Sequence, residues 1–454
     1  MSIKSLVLAY DRPAPRYTSY PPATQFTDAP ETAWRTSALA SVKEGARISL
    51  YLHIPFCSKL CYYCGCFTSV TRKMERVERY LQALVEEAKL VSSLLPKDVT
   101  VAHLHFGGGS PSMLTPEMFR QLFAQLSESF GIAPNAEIAI EIDPRQLSEA
   151  KIAAYAACGV NRVSFGVQDF DIRVLAAVNR EQAASLSWRG IQWCWEYGIN
   201  NVNFDLIYGL PHQSVESMKD TVAMATDMAP SRIAFFGYAH VPWMKNHMKA
   251  MDLAAMPDAS LRYDLFKAGS SELEAAGYHA VGIDHFVEAS DTMYQAWRER
   301  RLQRNFQGYT TDALPVLIGL GASAISKFAD RYVQNKADIA LYEASLAASY
   351  LPAARGWSMQ KNDELHARVI EALMCYFEVD LASIVPSRTY DYFAFARERL
   401  SPLVADGIVA WEGDQVRILK EPQLMARLVA SAFDQYTPWL ESEALVPQRH
   451  ARAI

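Results

Sequence analysis

The sequence predicts an α/β fold: a parallel (βα)6-type partial TIM barrel with an N-terminal arm and a mostly helical, winged-helix-like C-terminal domain. Two observations lead to this prediction. Apolar, β-rich runs recur at intervals of roughly 30 to 40 residues, and stretches with helical spacing separate them. Strand, helix and strand in that alternation are typical of βα units around a parallel sheet. Because the strands are nearly continuously apolar, we expect both faces of the sheet to be covered.

The individual elements follow from hydrophobic periodicity. The predicted strands lie at 48–54, 101–106, 136–142, 161–167, 201–209 and 231–238, with weaker ones at 278–283 and 316–321. Between the first two strands, Val77, Leu81 and Leu84 belong to a set of apolar residues at three- and four-residue steps, which predicts one face of a helix over 74–91. Six or more such units fit a barrel that is either fully or partly closed.

The last hundred residues have a different pattern. They predict helices at 363–378 and near 390–404, a hairpin at 407–419 that turns at Gly413-Asp414, and a final helix at 421–435. Helices followed by a small hairpin resemble a winged-helix module, a type that often binds DNA. Residues 361–454 hold 10 Lys and Arg against 14 Asp and Glu, however, which argues against a phosphate-binding face. We interpret this part as a structural cap or substrate cover.

These patterns divide the chain into an arm (1–35), a catalytic partial barrel (36–355) and a helical cap (356–454). The net charge of −6 gives no general attraction to nucleic acid or to an anionic membrane. No apolar run reaches the length of about 18 residues that a membrane span needs, and the first residues lack the apolar run of a secretory signal. We therefore expect a cytoplasmic protein without a membrane span.

The cysteines indicate a metal site. Four of the seven lie between 57 and 66, in HIPFCSKLCYYCGC (53–66), directly after the first predicted strand. Cys57, Cys61 and Cys64 form a C-x3-C-x2-C loop, and three thiolates at that spacing can ligate three irons of a cubane cluster and leave the fourth iron open. The alternative is a zinc knuckle with Cys66 as fourth ligand. Structural zinc motifs usually pair two C-x2-C units and no second pair exists here, so we favour the cluster.

Polar residues and glycines follow the other predicted strands. HFGGGSPS (105–112) places three glycines after the second strand, where exposed backbone N–H groups and close approach would suit an anionic or polar ligand. Further candidates at strand ends are Glu141, Asp143, Gln168, Asp169, Asp205 and His240. Each has a structural alternative, such as a turn cap or a helix start. Polar groups at successive strand ends favour a shared polar ligand, because ligands bind at the carboxyl ends of parallel strands.

With these motifs, the chain resembles the oxygen-independent coproporphyrinogen III oxidases, radical S-adenosylmethionine enzymes of haem synthesis, over nearly its whole length. The cysteine loop alone marks only the superfamily, whereas Cys66, the RYTSYP arm (16–21) and RNFQGYTT (304–311) make the narrower resemblance specific. The other matching segments are HFGGGSPS (105–112), EIDPR (141–145), GVQDF (166–170), VNREQ (178–182), NFDLIYGLP (203–211), YAHVP (238–242), DHF (284–286) and GASAIS (321–326).

The resemblance implies specific site residues. Cys57, Cys61 and Cys64 would ligate a [4Fe–4S] cluster. A first S-adenosylmethionine would bind the open iron, in a site lined by Tyr51, Gly108, Glu141 and Ile325. A second S-adenosylmethionine would contact Tyr63, Gly109, Ser110, Gln168, Arg180, Asp205 and Ala239. Two positions depart from the family's pattern: Tyr63 stands where Phe is usual, which adds a polar group beside the cluster, and Ser110 stands where Thr is usual and keeps the hydroxyl.

The resemblance also implies a reaction. A 5′-deoxyadenosyl radical would take a hydrogen from a propionate side chain, which then loses CO2 and an electron to become a vinyl group. Two rounds on coproporphyrinogen III would give protoporphyrinogen IX. The implied partners are a one-electron donor of flavodoxin or ferredoxin type and an electron acceptor that the sequence does not identify, and we expect a monomer.

A substrate with four carboxylates requires a basic lining. Arg16 and Arg304 lie in matched segments and are the candidate substrate-binding residues, whereas Arg298, Arg300 and Arg301 fit a solvated helix face better. The arm at 10–25 is expected to fold over the pocket and keep water from the radical. The alternatives are a related haem chaperone, which usually lacks Cys66 and the YTSYP arm, and relatives that modify haem-like rings.

Overall fold

The computed structural model describes residues 2–28, 33–385, 392–437, 439 and 451–452. In that part of the chain the strands are β1 (Thr27–Asp28), β2 (Arg47–Ile54), β3 (Phe56–Cys57), β4 (Ser69–Val70), β5 (Thr100–Gly108), β6 (Gly131–Ile142), β7 (Arg162–Gln168), β8 (Asn201–Tyr208), β9 (Arg232–Gly237), β10 (His279–Val281), β11 (His285–Val287), β12 (Gln303–Asn305), β13 (Gly308–Thr310), β14 (Leu317–Leu320), β15 (Ile325–Lys327), β16 (Arg331–Asn335), β17 (Ala353–Ser358), β18 (Glu378–Asp380), β19 (Val409–Glu412) and β20 (Gln415–Ile418). The helices are α1 (Ile3–Ala9), α2 (Ala33–Ala40), α3 (Met74–Ser93), α4 (Pro116–Ser129), α5 (Glu149–Ala157), α6 (Ile172–Ala177), α7 (Ala184–Glu196), α8 (Val215–Asp227), α9 (Ala259–Ala275), α10 (Thr292–Arg298), α11 (Ile339–Ala347), α12 (Asp363–Tyr376), α13 (Ala394–Ala405) and α14 (Pro422–Ser431).

One large sheet organises the molecule. Its strand order among the described residues is β1-β17-β16-β15-β14-β2-β5-β6-β7-β8-β9-β11-β10. The central strands β2, β5, β6, β7, β8 and β9 pair in parallel and in chain order. A further strand, β14, pairs in parallel with β2 on its other side. Both ends of the sheet are antiparallel, and β1 and β10 stand at opposite ends of the order, so the predicted partial barrel of six βα units is confirmed.

The two faces of the parallel strands differ in polarity, which the nearly continuous apolar runs did not predict. Leu52 lies in register with Phe106, and this row of fully buried apolar side chains continues onto Ile140, on the face that packs against helices. The alternate positions are polar: Ser49 is in register with His103, and His103 with Glu137. The members of this polar row have partners: Ser49 Oγ donates to Asp312, His103 Nε2 lies 3.7 Å from Asp312, and Glu137 pairs with Arg162 at 3.1 Å.

The C-terminal region agrees with the predicted sequence of elements. A three-stranded sheet in the order β18-β20-β19 packs with α12, α13 and α14, and the β19–β20 hairpin turns at Gly413 and Asp414. The last helix ends at Ser431, earlier than predicted, and the start of the helix expected near 390 lies partly outside the described residues. The predicted domain boundaries after residues 35 and 355 fall inside α2 and β17, and the division into domains stays a prediction.

The N-terminal arm lies between the barrel and the C-terminal region. The Tyr17 hydroxyl donates to Asp434 Oδ2 at 3.0 Å, and the ring of Tyr20 stacks on His366 with centroids 5.9 Å apart. Both tyrosines are buried, at 5% and 4% exposure. No described helix combines the length and the apolar character needed to cross a bilayer.

A buried ion pair joins the β14–β16 side of the sheet to its helices. Arg35 in α2 and Glu87 in α3 are both fully buried, with Nη1 and Oε1 2.6 Å apart. The second carboxylate oxygen of Glu87 accepts hydrogen bonds from the Gly321 N–H and from the Tyr342 hydroxyl, each at 2.7 Å. Asn335 in β16 also donates to Glu87. Four elements from different parts of the chain therefore depend on one carboxylate.

Arg35→Met should leave the Glu87 charge buried without its cation and lower the free energy of unfolding by about 3–5 kcal/mol. The matched control is Lys89→Met in the same helix α3, which removes an exposed pair with Glu86 and should cost less than about 1 kcal/mol. Denaturant unfolding monitored by circular dichroism measures both. Equal effects of the two substitutions would contradict this account.

Candidate active site

The cysteine loop begins where β2 ends. Cys57 lies in β3, which pairs with β4, and the Thr71 N–H donates to the Cys57 carbonyl at 3.0 Å. The Cys64 N–H donates to the Cys61 carbonyl at 3.2 Å, which folds the loop back on itself. Cys61 is buried, Cys57 and Cys64 are half-buried, and Cys66 is exposed. The backbone thus fixes the positions of the three candidate ligands at the carboxyl edge of the sheet.

Two guanidinium groups point at one of these sulfurs. Arg180 Nη1 lies 3.3 Å and Arg145 Nη2 3.5 Å from Cys61 Sγ. Asp143 binds both cations, with its oxygens 2.6 Å from Arg145 and 3.5 Å from Arg180. Burial would lower the pKa of the Arg180 guanidinium, but Tyr63, Asp143 and Cys61 around it raise the pKa above its ordinary value. Two cationic groups that share one carboxylate therefore lie against the Cys61 sulfur.

The cysteine thiols differ in acidity. Burial, followed by the neighbouring Cys64 and Asp143, raises the pKa of Cys57 to about 12. The hydrogen bond with the Cys66 side chain lowers the pKa of Cys64 to about 7. Among the described residues, no three His, Cys, Asp or Glu side chains converge on a single ion position.

Close packing of two strand ends explains the three glycines. A Cβ on Gly109 would lie 2.8 Å from the Pro55 carbonyl carbon, and one on Gly107 would lie 2.7 Å from Glu141 Oε1. Gly108 has φ +114°, and a Cβ there would meet the His53 ring. The expectation of exposed N–H groups is wrong for two of the three, because the Gly109 N–H donates to the Ile54 carbonyl and the Gly108 N–H to Glu141.

Glu141 is the carboxylate at the centre of this edge. It accepts hydrogen bonds from His105 Nε2 and from the Gly108 N–H, both at 3.1 Å. Burial would raise its pKa, but these two hydrogen bonds, together with the electrostatic effects of His105 and His53, lower the pKa below the ordinary value. Tyr51 packs its ring on His105, with centroids 5.7 Å apart, and shares a hydrogen bond of 3.1 Å with His53. Glu141 is thus an ionised hydrogen-bond acceptor beside the rings of Tyr51 and His105.

Asp205 differs from Glu141 in that its pKa is raised. Its oxygens accept hydrogen bonds from Asn203 Nδ2 at 2.8 Å and from Ser164 Oγ at 3.2 Å. Burial and the nearby charge of Glu141 nevertheless raise its pKa to about 7. A neutral Asp205 can donate as well as accept a hydrogen bond.

The remaining predicted cofactor contacts lie around the same edge. Gln168 ends β7 in the left-handed region, with φ 71°. Ser110 Oγ is 2.7 Å from Ser112 Oγ, and Tyr63 packs against an apolar cluster that includes Tyr238. At the two sides of this group, Ile325 lies in β15 next to β14, and Ala239 follows β9.

The structure adds residues that the sequence did not single out. Arg145 lies beside Cys61 in the structure. In the sequence it ends the matched segment EIDPR, which already contains Glu141 and Asp143, and this proximity could have identified it as a candidate. Asp169 is structural: it accepts from the Thr221 hydroxyl and from Gln213 Nε2, both at 2.6 Å. His240, another strand-end candidate, shares a hydrogen bond with the Tyr238 hydroxyl instead of reaching this group.

Beside the end of β9, a small pocket has a strongly basic lining. Its arginines are Arg16, Arg262, Arg304, Arg427 and Arg452. The single carboxylate among the described lining residues is Asp284, which binds His285 Nδ1 at 2.7 Å. Arg304 also borders a second pocket, which the arm residues 17–20 help to line. The Arg304 Nε–H donates to the Arg16 carbonyl at 3.3 Å, so the two candidate substrate residues are neighbours.

Gly109→Ala should force the ends of β2 and β5 apart, because its Cβ would press on the backbone of Pro55 and Phe56. We expect a loss of about 1–3 kcal/mol in unfolding free energy and less iron and sulfide bound per chain after anaerobic reconstitution. In the control Gly131→Ala, the new Cβ has no neighbour closer than 3.6 Å. Full iron and sulfide loading of Gly109→Ala would contradict the packing argument.

Asp205→Asn tests the pKa of about 7 assigned to Asp205. Because the folded-state pKa is raised, the folded chain keeps a proton that the unfolded chain loses between about pH 4 and pH 7, and stability falls as pH rises through that window. In the cofactor-free chain, the substitution should therefore stabilise by roughly 1–4 kcal/mol at pH 8 and have little effect at pH 5. Unfolding at both pH values measures this, with the exposed Asp220→Asn as control. If Asp205→Asn raised the free energy of unfolding equally at pH 5 and pH 8, Asp205 would not titrate between these pH values.

Comparison with known proteins places this geometry in a family. Residues 51–225 match the Radical SAM superfamily. The chain is 42% identical over 444 residues to the oxygen-independent coproporphyrinogen III oxidase of Bradyrhizobium diazoefficiens, with 97% of each chain covered. It is 39% identical over 436 residues to the anaerobic coproporphyrinogen III oxidase 1 of Cereibacter sphaeroides, with 94% of this chain and 95% of the relative covered.

The fold agrees with this similarity. The solved structure of the Escherichia coli coproporphyrinogen III oxidase, a radical SAM enzyme, superposes with a TM-score of 0.88 at 36% sequence identity. The match covers 93% of this chain and 98% of that one. Membership of the superfamily implies a [4Fe–4S] cluster and S-adenosylmethionine as cofactors. This chain belongs to the oxygen-independent coproporphyrinogen III oxidase family of radical S-adenosylmethionine enzymes.

Proposed function

We propose that this chain removes CO2 and hydrogen from two propionate side chains of coproporphyrinogen III and leaves two vinyl groups, which gives protoporphyrinogen IX in haem biosynthesis. The observation that carries the proposal is the placement of the cysteine loop and the arginine-lined cavity at the carboxyl edge of one parallel sheet. A radical source and a polycarboxylate-binding surface are the two parts that this reaction needs. The full-length similarity to coproporphyrinogen III oxidases supports the same substrate.

Cys57, Cys61 and Cys64 are the proposed cluster ligands. The fit rests on the cationic donors at Cys61 Sγ, on the glycine-lined approach of two strand ends, and on Arg180 Nε, a buried N–H without a hydrogen-bond partner among the described residues. When bound, the cluster and S-adenosylmethionine supply a 5′-deoxyadenosyl radical that abstracts hydrogen from the propionate.

The proposed contacts of the first S-adenosylmethionine surround Glu141. Tyr51 offers an aromatic face and Gly108 a backbone without side chain, and the ionised Glu141 can bind a cationic or N–H group. The full proposed set for the first molecule is Tyr51, Gly108, Glu141 and Ile325. For the second it is Tyr63, Gly109, Ser110, Gln168, Arg180, Asp205 and Ala239. Support for the second set comes from Gly166, which lies in register with Asp205 on the neighbouring strand and whose carbonyl accepts a hydrogen bond from Arg180 Nη2.

Arg16 and Arg304 are the proposed substrate contacts from the matched segments. Both guanidinium groups line the basic cavity, and Arg304 also stacks on Tyr309, 4.5 Å from the ring centroid. The arm, held by Tyr17 and Tyr20, closes one side of this region and would keep water from a reactive intermediate.

The remaining parts of the proposal concern organisation and partners. The arm (1–35), catalytic domain (36–355) and cap (356–454) are supported by the change from parallel βα units to helices with a small sheet. We propose a cytoplasmic monomer that takes electrons from a flavodoxin or ferredoxin and passes the reaction's electrons to a separate acceptor. All seven cysteines are free, which suits a reducing compartment.

A haem chaperone or a haem-modifying relative is the alternative. Anaerobic incubation of the reconstituted chain with dithionite, S-adenosylmethionine and coproporphyrinogen III separates these by product mass. Loss of two CO2 with release of 5′-deoxyadenosine is the expected result. Deoxyadenosine without decarboxylation would point to a haem-handling relative, and the absence of both cluster and cleavage would favour the zinc site.

Cys61→Ser should abolish deoxyadenosine formation, to below about 1% of the wild type, because a neutral hydroxyl replaces the thiolate that iron requires. Iron and sulfide bound per chain should fall as well. The control Cys158→Ser lies at the end of α5, away from the loop, and should retain both cluster and activity. An active Cys61→Ser chain would remove Cys61 from the ligand set.

A further inference from the structure

The middle of the cysteine loop is attached to a turn from another part of the chain. Residues 59–62 of the loop each contact one member of residues 178–181, the turn that follows α6. The four contacts are Lys59 with Glu181, the Leu60 carbonyl with Asn179, Cys61 Sγ with Arg180, and the Tyr62 N–H with the Val178 carbonyl. Contacts before and after Cys61 in the sequence therefore hold this candidate ligand against the turn.

The backbone of the turn is set by the way α6 ends. The Asn179 N–H donates to the Ala176 carbonyl at 3.1 Å, and the Arg180 N–H donates to the Leu175 carbonyl at 2.8 Å. This pair of hydrogen bonds is the Schellman motif, which needs a residue in the left-handed region and usually takes glycine there. Asn179 occupies that position, with φ 59°. Glycine would fit this backbone better, so the amide of Asn179 is the part that needs an explanation.

The amide of Asn179 joins the turn to the loop. Its Nδ2 donates to the Leu60 carbonyl at 2.7 Å, across 119 positions of sequence. The next residue of the turn, Arg180, places Nη1 3.3 Å from Sγ of Cys61, which is the next residue of the loop. Successive residues of the turn thus bind successive residues of the loop. A displacement of one segment along the other would break both contacts together.

Apolar packing brings the two segments together but does not fix their alignment. Val174 and Val178 of α6 and its turn are fully buried, in a cluster with the loop residues Tyr62 and Tyr63. The hydrophobic effect depends on buried area and has no preferred direction, whereas a hydrogen bond weakens steeply when its angle changes. The alignment of the turn with the loop therefore depends on the directional contact from Asn179.

We propose that Asn179 is a positioning residue: its amide fixes the alignment of the cysteine loop with the turn that carries Arg180, and so keeps Cys61 and Arg180 at a constant spacing. The inference rests on the proposed function, since it takes Cys61 as a cluster ligand and Arg180 as a contact of the second S-adenosylmethionine. Without the amide, the loop should release iron more readily and the cofactor should bind less tightly.

The test is Asn179→Gly in the reconstituted enzyme, because glycine keeps the left-handed backbone and removes only the side chain. Anaerobic loss of iron to a chelator should become about 3- to 10-fold faster, the effect expected from one hydrogen bond. S-adenosylmethionine is titrated against the electron paramagnetic resonance spectrum of the dithionite-reduced cluster. The concentration that gives half of the spectral change should rise by a similar factor.

The matched control is Ser349→Gly, at the same position of a second Schellman motif. Ser349 has φ 60°, is exposed and follows the end of α11. The Ser349 N–H donates to the Leu346 carbonyl and the Tyr350 N–H to the Ser345 carbonyl, both at 2.9 Å. Glycine suits the backbone at both sites, so neither substitution should lower the denaturation midpoint of the cofactor-free chain. Ser349→Gly should also retain iron and bind S-adenosylmethionine as the wild type does.

Asn179→Asp is a second variant, which keeps the shape of the side chain but replaces the N–H donor with a carboxylate oxygen. It decides the question if Asn179→Gly lowers the denaturation midpoint, and it should release iron faster as well. Wild-type iron retention and S-adenosylmethionine titration in the folded variants would overturn the assignment. A wild type that holds its cluster but releases no CO2 from coproporphyrinogen III would instead overturn the proposed function, and the comparison of iron loss would still decide the role of Asn179.

Discussion

The parallel alignment of six consecutive strands is the constraint on which the rest of the molecule depends. Each βα unit returns the chain to the same side of the sheet, so every strand ends at one edge. The cysteine loop follows the first strand of this series, the glycines the second and Glu141 lies near the end of the third. Groups that are up to about 180 positions apart in the sequence therefore meet without any long loop to bring them together. An antiparallel order would send half of them to the opposite edge.

Holding this edge open creates an energetic problem, because a partly closed barrel exposes polar backbone and side chains that a closed one would cover. The structure addresses the problem with internal pairing. Asp143 lies between two arginines, and Glu141 accepts hydrogen bonds from a histidine and a backbone N–H. On the far side, Glu87 joins α3 to the β14–β16 edge. The charged groups at this edge thus have partners among the described residues before any cofactor is bound.

Much of the fold could be predicted from the sequence, because apolar periodicity records which residues face the helices. The six strands, the helix over 74–91 and the β19–β20 hairpin agree with the structure to within a few residues at most ends. The polar inner face was missed, since a histidine or serine inside an apolar run looks like an interruption unless its partner is known. The candidate cofactor residues were named because motifs carry them. Arg262 was not, because a lone arginine in a helix has no pattern that distinguishes it from a surface charge.

The wall of the basic cavity joins segments from opposite parts of the sequence. Pro13 forms a bridge with Arg452, Ala14 donates its N–H to the Ala451 carbonyl, and Arg452 lies 3.4 Å from Asp11, 441 positions away. During synthesis on the ribosome, the βα units and the cysteine loop emerge long before residue 451. A nascent or truncated chain could thus acquire its cluster while the chamber for the porphyrinogen is still unfinished. Such a chain would be able to start radical chemistry before it could bind substrate. Because this wall is assembled last, the chain would acquire these two abilities at different times.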